Sequence, residues 1–548
     1  MGIIKLETKD KKRKVTNNRM TNKNLLSGNE AIARGAYEAG VKVGVGYPGT
    51  PSTEILENFT KYEDVVTEWS VNEKVAMEVG LGSALAGKRT LVTMKHVGLN
   101  VAADPLFTAS YIGANAGMVV VVADDPDLHS SQNEQDSRHY ARAAKVPMLE
   151  PSDSQEAKEF VRYACELSEG FDTPIFLRSV TRISHSKTVV AFEPKLNYEH
   201  DKGFEKENIK KHVMIPAFAR QRHFVVEDRM KALEEFSNRI EINRIEKGKG
   251  EIAFVTAGLC YNYVKEVFPE ADIFKIGMVY PLPMRNLLEF CKGYEKVYVV
   301  EELDPFIEDQ LKARGANNIV GKEILPVTGE YSPELIYTAI TGNKFKGMEV
   351  GIKPFARPPM LCPGCPHAQT FNAMNKLGLT VSGDIGCYTL GTLPPYSAMH
   401  ACVDMGASIP FAQGIELAQG SEFKHDVVAV IGDSTFAHSG ITGLINAAYN
   451  KRRILVIVLD NSTTAMTGMQ PNPFNGSTIT GEETVVIDYQ KLAEAIGIKK
   501  DNFRTVTAYK EEIISETIQE LLAKKELCLM VVTGPCLIYK RKKEKNNG

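Results

Sequence analysis

The sequence predicts an α/β protein in which two parallel-sheet domains enclose a smaller α/β domain. Apolar, β-branched runs bounded by turn residues recur along the chain, for example at residues 427–431 and 454–459. Such runs are typical of parallel strands that are buried on both faces. The segment between these two runs, residues 440–450, predicts the crossover helix of a βαβ unit. The same alternation appears in three separate stretches of the chain, which predicts three domains.

The first stretch, residues 25–195, opens with the capping-box residues Ser27 and Glu30 ahead of a helix that we expect to close at Gly40. Its predicted strands lie near residues 41–47, 90–94, 118–123 and 174–177. The preceding residues 1–24 are polar and basic, and we interpret them as a disordered tail. A nuclear address or a start codon placed too early are the alternatives for that tail.

A linker, a middle block and a final block follow. Residues 196–250 are charged and irregular, and we interpret them as a linker that contains one helix. Residues 251–345 predict a compact α/β domain, and residues 355–540 form the block that contains the two runs described above. The predicted strands of the middle block are residues 251–256, 272–276 and 297–300.

Composition indicates a globular protein without an evident nucleic-acid or membrane role. Hydrophobic residues make up 43% and charged residues 24%, and 65 basic against 68 acidic side chains leave a net charge of −3. This balance does not favour nucleic acid as a partner. The sequence has no apolar run of about 18 residues and no secretory h-region. Nine cysteines are an odd and sparse number, which favours a reducing cytoplasm over a disulfide framework.

Two polar turns follow the strands of the final block. Gly432-Asp433-Ser434 comes directly after the first run, and Asp460-Asn461-Ser462-Thr463 ends the second. Ligands bind at the carboxyl ends of parallel strands, so these turns should meet at one site. A carboxylate, an amide oxygen and main-chain carbonyls suit Mg²⁺ holding a diphosphate. Two ordinary strand-end turns are the alternative.

The pair of turns resembles the thiamine-diphosphate motif, a Gly-Asp-Gly followed by Asn-Asn. Ser434 replaces the last glycine and Asp460 the first asparagine. Thiamine chemistry also needs a carboxyl group against the pyrimidine nitrogen N1′, and Glu73 is our candidate. It stands after an apparent strand, at the start of a helix rich in glycine and alanine. The alternative is a glutamate favoured only by the helix dipole.

Further polar side chains follow strands of the first block. Thr50, in the turn of residues 47–53, has a hydroxyl that could donate to a substrate carboxylate or to a cofactor, although a turn with capping residues explains it equally. Lys95 and His96 place a cation and an imidazole at another strand end, where a cleft is expected, and His96 is a candidate catalytic residue. His438, beside the metal motif, could face substrate or diphosphate. Surface or core roles remain open for all three.

Four cysteines form a candidate ligand set. Cys362 and Cys365 have ligand-type spacing at a predicted helix start, and Cys387 and Cys536 each follow a glycine-containing turn. Four thiolates can hold a [4Fe–4S] cluster or a zinc ion. A redox pair or buried structural thiols are the alternatives, because a single Cys-x-x-Cys is a weak signal.

Taken together, these segments resemble the large, thiamine-binding α subunit of indolepyruvate:ferredoxin oxidoreductase. The resemblance covers residues 25–540 and includes Ser434 and Asp460 as that family's own variant of the thiamine motif. It rests on Tyr47-Pro48-Gly49-Thr50-Pro51-Ser52, Cys362-Pro363-Gly364-Cys365-Pro366-His367, Gly383-Asp384-Ile385-Gly386-Cys387, Gly432-Asp433-Ser434-Thr435-Phe436 and Asp460-Asn461-Ser462-Thr463.

The resemblance implies an order of domains and a role for each candidate residue. Residues 25–195 would bind the pyrimidine, residues 251–345 would be transketolase-C-terminal-like, and residues 355–540 would bind the diphosphate. Glu73 would be the N1′ glutamate, and Thr50 would lie near the substrate carboxylate. The resemblance further implies Mg²⁺ ligation by Asp433, Asn461 and the Thr463 carbonyl, diphosphate contacts from Gly432 and Ser434, and a cluster on Cys362, Cys365, Cys387 and Cys536.

The activity implied is oxidative decarboxylation of an aryl or branched 2-oxo acid to an acyl-CoA, with electrons passed to ferredoxin. A smaller β subunit would complete a hetero-oligomer. Family α subunits continue into a ferredoxin-like domain, whereas this sequence shows no C-x2-C-x2-C-x3-C run. Either that module is separate, electrons leave another way, or the reaction is a non-oxidative decarboxylation or carboligation. A non-catalytic thiamine-binding subunit is a third hypothesis.

Overall fold

The α/β class is confirmed by the computed structural model, which describes residues 22–198, 203–347, 351, 355 and 357–546. Most of the predicted tail, residues 1–24, lies outside the described residues, although a first strand begins at Lys23. The described chain contains four β-sheets, of two, five, six and seven strands. Within this described part, no helix has the length and apolar character needed to cross a bilayer.

The first region builds the seven-stranded sheet and a two-stranded ribbon. Its helix α1 begins with the predicted capping box between Ser27 and Glu30. The elements in chain order are β1 (Lys23–Ser27), α1 (Gly28–Glu38), β2 (Val43–Gly46), α2 (Thr53–Phe59), β3 (Val66–Trp69), α3 (Glu73–Leu85), β4 (Thr90–Lys95), α4 (His96–Val101), α5 (Ala103–Ile112), β5 (Met118–Asp124), α6 (Arg138–Ala144), β6 (Met148–Leu149), α7 (Ser154–Phe171), β7 (Ile175–Val180), α8 (Thr181–His185) and β8 (Lys187–Ala191).

The middle region builds the five-stranded sheet. Its elements are α9 (Ile209–His212), α10 (Pro216–Ser237), β9 (Arg244–Glu246), β10 (Ala253–Ala257), α11 (Gly258–Val267), β11 (Asp272–Ile276), β12 (Met278–Tyr280), α12 (Met284–Lys292), β13 (Val297–Val300), α13 (Phe306–Ala313), β14 (Ile319–Val320) and α14 (Pro333–Thr341).

The last region builds the six-stranded sheet. Its elements are α15 (Ala368–Lys376), β15 (Thr380–Gly383), β16 (Ala401–Cys402), α16 (Ser408–Gln419), β17 (Val427–Gly432), α17 (Asp433–Thr435), a π-helical turn (Phe436–Gly440), α18 (Ile441–Tyr449), β18 (Leu455–Asp460), α19 (Tyr489–Ile496), β19 (Phe503–Thr507), α20 (Glu511–Ala523), β20 (Cys528–Thr533) and α21 (Leu537–Asn546).

The two larger sheets are almost entirely parallel, as their apolar runs predict. The seven strands have the order β12-β6-β7-β5-β4-β2-β3, and the six have the order β16-β15-β17-β18-β20-β19. Every residue of β5 and of β17 is buried, because helices cover both faces of a sheet built from βαβ units. Polar groups that follow the strands therefore collect at the carboxyl edges of these sheets.

Two short strands belong to sheets that their positions in the sequence did not predict. β12, within the predicted middle block, pairs antiparallel with β6 at the edge of the first sheet. β9, within the predicted linker, pairs antiparallel with β11 of the middle sheet. Both are edge strands that satisfy backbone groups left open by their neighbours, a benefit that depends on tertiary position and not on local pattern.

The carboxyl edges of the first and third sheets face each other within the one chain. Asn72, which caps α3, donates from Nδ2 to the carbonyl of His438 over 2.9 Å. Gln470 donates from Nε2 to the Glu57 carboxylate over 2.6 Å. These contacts join residues more than 360 positions apart. They define a cleft between the two parallel sheets, and the candidate site residues lie on its walls.

Candidate active site

The third sheet brings Asp433 and Asn461 together, as their positions after two βαβ strands predict. β17 and β18 are adjacent and parallel, with Gly432 opposite Leu459. Asp433 follows the first strand and Asn461 the second, so both side chains stand at one carboxyl edge. Asp433 is 2% and Asn461 7% exposed.

The Asp433 carboxylate is held in a buried, anionic surrounding. Its Oδ1 accepts from the Ser434 amide over 2.9 Å, and its Oδ2 accepts from Asn472 Nδ2 over 3.1 Å. Burial, followed by the charge of Asp460, nevertheless raises the pKa of Asp433 to about 8. Two acidic groups that are buried close together repel each other when ionised, and a bound cation would relieve this repulsion.

The Asn461 amide has a defined orientation. Its Nδ2 donates to His367 Nε2 over 3.2 Å, and its Oδ1 accepts from the Thr463 amide over 3.1 Å. Burial lowers the pKa of His367 to about 4, so the ring is neutral and its Nε2 can accept this hydrogen bond. The amide oxygen therefore points toward Thr463, on the side where the Thr463 main chain also approaches Asp433. A carboxylate and an amide oxygen presented together suit a hard divalent cation.

Glu73 lies on the opposite wall, at the first turn of α3. Asn72 caps this helix by accepting from the Val75 amide over 3.0 Å. Glu73 is 4% exposed, and its Oε2 is 2.8 Å from Nε2 of His438. A Cβ built on Gly98 would lie 2.6 Å from Cγ and Cδ of Glu73, so only glycine leaves room for this side chain. The predicted carboxyl candidate thus enters the cleft between the two sheets.

His438 contacts more of the facing wall than the sequence indicated. It belongs to the π-helical turn and is 3% exposed, and its Nδ1 lies 2.7 Å from the Ser439 hydroxyl. The Tyr47 ring stands edge-on to the imidazole at 4.7 Å between centroids. Burial, followed by the Glu73 charge, raises the pKa of Tyr47, so its hydroxyl stays protonated. π-turns inside helices often occur at functional sites.

Thr50, Lys95 and His96 lie together at the edge of the first sheet, next to this wall. The Ser130 hydroxyl donates to the Thr50 carbonyl over 3.2 Å, and Lys95 Nζ donates to the Ser130 carbonyl over 2.7 Å. Burial lowers the pKa of Lys95 to about 8 against the attraction of Asp125. His96 is 1% exposed, and its Nε2 bonds the Asn133 carbonyl over 3.2 Å.

These contacts give the Lys95 and His96 side chains structural partners. His96 packs inside the protein and makes no hydrogen bond to Glu73 or His438 among the contacts of the described residues. Burial also lowers its pKa, so the ring is neutral. Thr50 is half-buried at the cleft edge. Catalytic roles for Thr50 and His96 therefore stay predictions.

The four candidate cysteines come together beside the metal turns. Burial, followed by the thiols of Cys365, Cys536 and Cys362, raises the pKa of Cys387 to about 11. The Cys536 amide donates to the Asn461 carbonyl over 3.0 Å, which attaches this group to the turn that follows β18. The three sequence segments that carry these cysteines therefore lie side by side in space. No three of the sulfurs lie within 4.8 Å of one another in the described structure.

Asp384 is an anchor whose role the sequence motif did not reveal. It is fully buried and accepts from the amides of Gly406 and Ser408 over 2.8 and 2.9 Å. Thr435 donates to the carbonyl of Ile385 over 2.9 Å. Asp384 thus connects the turn that carries Cys387 to the start of α16. The short strand β15 before Asp384, Thr380–Gly383, is not an apolar run, and the partners of Asp384 are distant in sequence, so no local signal marked this role.

A cavity of about 630 Å³ opens from the site. Tyr47 and Ser434 are among its lining residues, and the others combine apolar side chains with polar ones such as Thr67, Glu68 and Asn472. Its further lining residues include Pro48, Val66, Trp69, Val71, Pro471, Pro473, Ile479, Val485 and Ile487.

Two protein-family models match the two walls of the cleft. Residues 384–532 match the model described as "Thiamine pyrophosphate enzyme, C-terminal TPP binding domain", and this range includes Asp433 and Asn461. Residues 34–246 match "Pyruvate flavodoxin/ferredoxin oxidoreductase, thiamine diP-bdg", and this range includes Glu73 and Thr50.

Relatives that match over nearly the whole chain decide the family. The chain is 38% identical to indolepyruvate oxidoreductase subunit IorA of Archaeoglobus fulgidus, over 95% of this chain and 88% of the relative. It is 40% identical to the subunits of the same name from Methanothermobacter thermautotrophicus (96% and 88% covered) and Pyrococcus horikoshii (94% and 86%). The chain belongs to the indolepyruvate oxidoreductase α-subunit family.

Membership in this family confirms the resemblance inferred from the motifs. The chain is an enzyme subunit of the thiamine-diphosphate-dependent 2-oxo acid oxidoreductases. A solved chain, titled as 2-oxoglutarate:ferredoxin oxidoreductase from Magnetococcus marinus with 2-oxoglutarate, coenzyme A and succinyl-CoA bound, has a TM-score of 0.51 at 16% identity. The aligned region covers 59% of this chain and 65% of the solved chain, and at this identity the similarity supports the fold alone. The predicted fold class, two thiamine-type parallel-sheet domains around a transketolase-C-terminal-like domain, is confirmed.

Proposed function

We propose that the chain catalyses oxidative decarboxylation of aryl, indolepyruvate-like, or branched 2-oxo acids to acyl-CoA, with electrons passed to ferredoxin. When bound, thiamine diphosphate supplies the carbanion that attacks the 2-oxo carbon and the ring that accepts the electrons of decarboxylation. The observation that favours an oxidative reaction is the hydrogen bond from the Cys536 amide to the Asn461 carbonyl. This bond places the group of thiols directly beside Asn461, one of the proposed ligands of the cofactor metal.

The four thiols lie together, since those of Cys365, Cys536 and Cys362 all act on Cys387. Four thiolates can hold a [4Fe–4S] cluster or a zinc ion. We assign Cys362, Cys365, Cys387 and Cys536 as ligands of one [4Fe–4S] cluster, because the oxidative reaction proposed here needs an electron carrier between the cofactor and ferredoxin, which zinc is not.

The residues of the two walls have complementary roles in this proposal. Asp433, Asn461 and the Thr463 carbonyl would ligate Mg²⁺, and Gly432 and Ser434 would contact the diphosphate. The donor set consists of hard oxygens, and the raised pKa of Asp433 fits a carboxylate that needs a cation. Glu73 would hold a proton at the pyrimidine nitrogen. Thr50 would bind the substrate carboxylate, and His96 would act beside it.

The cavity supports a bulky, apolar substrate side chain. Its volume of about 630 Å³ lies in the usual range for small-molecule sites, and its lining includes Tyr47 and Ser434 from the two walls of the cleft. Trp69 and several aliphatic side chains offer the apolar contacts that an indole or a branched alkyl group would need. This lining does not choose between aryl and branched substrates.

The complete reaction needs partners that a single chain does not supply. A smaller β subunit would complete the active site as a hetero-oligomer, coenzyme A would accept the acyl group, and a ferredoxin or separate ferredoxin-like subunit would take the electrons. We place this assembly in the cytoplasm, where thiols stay reduced.

The cluster assignment is tested by metal analysis. Anaerobically purified protein should contain iron and acid-labile sulfide in equal amounts, with about four of each per chain. Cys387→Ser and Cys536→Ser should lower both. Cys402→Ser is the matched control, because Cys402 is also a free cysteine of the third sheet but is not among the thiols that act on Cys387. Zinc without sulfide would contradict the assignment.

The reaction is tested with the co-expressed β subunit. The complex should reduce viologen only when a 2-oxo acid and coenzyme A are both present, and it should form the acyl-CoA. Absence of reduction across aromatic and aliphatic 2-oxo acids would refute the oxidative reaction. An aldehyde or acyloin formed without an acceptor would identify a non-oxidative decarboxylase or carboligase. Unchanged turnover of Glu73→Gln would indicate a non-catalytic subunit.

A further inference from the structure

The hydrogen bond between Glu73 and His438 is a fully buried side-chain link between the two walls of the cleft. Their Oε2 and Nε2 atoms are 2.8 Å apart, although the residues are separated by 365 positions. Both residues are less than 5% exposed. A buried hydrogen bond to a carboxylate is strong, because water does not compete with it.

Three further contacts hold the His438 ring in this place. The Ser439 hydroxyl lies 2.7 Å from Nδ1, so that it can donate there while Nε2–H donates to Glu73. The Tyr47 ring packs edge-on against the imidazole. Asn72, the residue before Glu73, binds the His438 carbonyl over 2.9 Å. Both ring nitrogens, one ring face and the main chain are therefore fixed relative to Glu73.

We propose that His438 is a positioning residue for Glu73, whose carboxyl group it keeps aligned with the cofactor pyrimidine. The proposal rests on the function given above. Nε2–H of His438 donates to Oε2 of Glu73, which leaves Oε1 for the pyrimidine nitrogen. When the proton on Oε1 moves to that nitrogen, the carboxylate that remains keeps the hydrogen bond from His438. The proton that leaves Oε1 is the one that the pyrimidine nitrogen gains, and no other group gains or loses a proton in this transfer.

A second contact explains why one donor is sufficient to align Glu73. Gly98 lies close against the side chain, since a Cβ there would be 2.6 Å from Cγ and Cδ and closer still to Oε1. The α4 backbone therefore limits movement of the side chain toward Gly98, and the hydrogen bond from His438 limits rotation of the carboxyl group. An imidazole is well suited to this role because it is a donor that need not carry a charge.

The proposal is tested with two variants and a matched control. His438→Phe keeps a ring against Tyr47 but removes both nitrogens, whereas His438→Gln keeps an N–H donor that can reach Glu73. The control is His223→Phe, because His223 also contacts a glutamate, Glu227, over 3.0 Å but on an exposed helix surface. All variants are made in the full chain with its β subunit.

The first measurement is the exchange of the C2 hydrogen of bound thiamine diphosphate with deuterated solvent, followed by quenched NMR without substrate. His438→Phe should slow this exchange by about 10- to 100-fold, the equivalent of one hydrogen bond to a charged group. It should also reduce the circular-dichroism band of the imino tautomer per bound cofactor. His438→Gln should retain part of both signals, and His223→Phe all of both.

The second measurement uses the cofactor-free chain. Selectively ¹⁵N-histidine-labelled protein should show an imidazole Nε2–H resonance that is protected from solvent, absent in His438→Phe and exposed in Glu73→Ala. The resonance should persist when Mg²⁺ and thiamine diphosphate are added. Loss of the resonance on cofactor binding would overturn the proposal, because His438 would then hydrogen-bond to Glu73 only until the pyrimidine takes its place.

The outcomes separate this proposal from the proposed function. If the wild-type complex binds no thiamine diphosphate, the proposed function fails. If the wild type exchanges C2 hydrogen and His438→Phe does so at the same rate per bound cofactor, only the role of His438 fails. A purely structural role would lower cofactor occupancy and melting temperature in His438→Phe while leaving the tautomer band per bound cofactor unchanged, which also overturns the proposal.

Discussion

Gly98 forms the surface against which Glu73 packs, and Gly98→Ala is a small change with a large expected effect on the site. A Cβ at this position would lie 2.6 Å from Cγ and Cδ of Glu73 and closer still to Oε1. Because the overlap involves the middle of the side chain, rotating only the carboxylate does not relieve it. Either the Glu73 side chain or the α4 backbone must move by close to 1 Å.

The magnitude follows from the contacts that this movement breaks. The hydrogen bond from His438 to Glu73 is 2.8 Å long, and an added 1 Å takes it beyond the range of a hydrogen bond. Loss of such a bond to a charged group costs about 1.5 to 3 kcal/mol, which corresponds to about 10- to 150-fold in rate. Overpacking costs about 1 to 3 kcal/mol of stability, against a gain of at most about 1 kcal/mol from the helix preference of alanine.

Gly82→Ala is the matched control for this substitution. Gly82 lies in α3, the helix that Glu73 begins, and a Cβ there meets nothing within 4 Å. Alanine should therefore leave the C2 exchange unchanged and raise the melting temperature slightly. Gly98→Ala should lower the melting temperature and slow the C2 exchange, with the Mg²⁺-dependent affinity for the cofactor changed less. Wild-type exchange in Gly98→Ala, with a melting temperature at or above that of Gly82→Ala, would refute this account of the Glu73 pocket.

Three further predictions concern groups whose surroundings are equally specific. His367→Phe removes the acceptor that orients the Asn461 amide and should weaken Mg²⁺ affinity by about 10- to 100-fold in a calorimetric titration; unchanged affinity would contradict the metal assignment. Asp433→Asn should abolish Mg²⁺-dependent cofactor retention while leaving the cofactor-free melting temperature equal or higher, since it replaces a buried carboxyl group whose ionised form is unfavourable there. Burial raises the pKa of Glu302 to about 7, so the native state keeps a proton there that the unfolded chain loses as the pH rises from about 4.5 to 7. The stability that this bound proton contributes is fully present at low pH and is lost across this window. In melts, the free energy of unfolding of Glu302→Gln should therefore exceed that of the wild type by at most about 3 kcal/mol at pH 8 and match it near pH 4.5. A difference that does not change with pH would refute this prediction.

The strands and the metal turns were predictable because their signals are local. The apolar runs at residues 427–431 and 454–459 became β17 and β18, and strand adjacency in a βαβ unit then brought Asp433 beside Asn461. The capping box at Ser27 is equally local, since its two partners are three residues apart. Such features depend on short-range geometry, which the order of residues specifies directly.

The partners of the site residues were less predictable because they depend on how two sheets dock. The sequence singled out Glu73 and left the role of His438 open, and no periodicity connects positions separated by 365 residues. Asn72 reads as an ordinary helix cap, yet the same side chain also binds the His438 carbonyl. The pairing of β12 with β6 is a similar case, because three residues within one block complete the edge of another.

The two carboxylates of the cleft are stabilised in different ways, and this difference predicts an order of events. Glu73 receives a hydrogen bond from His438 and is held in place before any ligand arrives. Asp433 faces the charge of Asp460 within a buried site, and its raised pKa shows that the anion is unfavourable there without a cation. Mg²⁺ should therefore enter together with the diphosphate and release a proton from Asp433 at pH 7. Titrations in buffers of different ionisation enthalpy would measure that proton, and its absence in Asp433→Asn but not in Glu73→Gln would assign it to the metal wall.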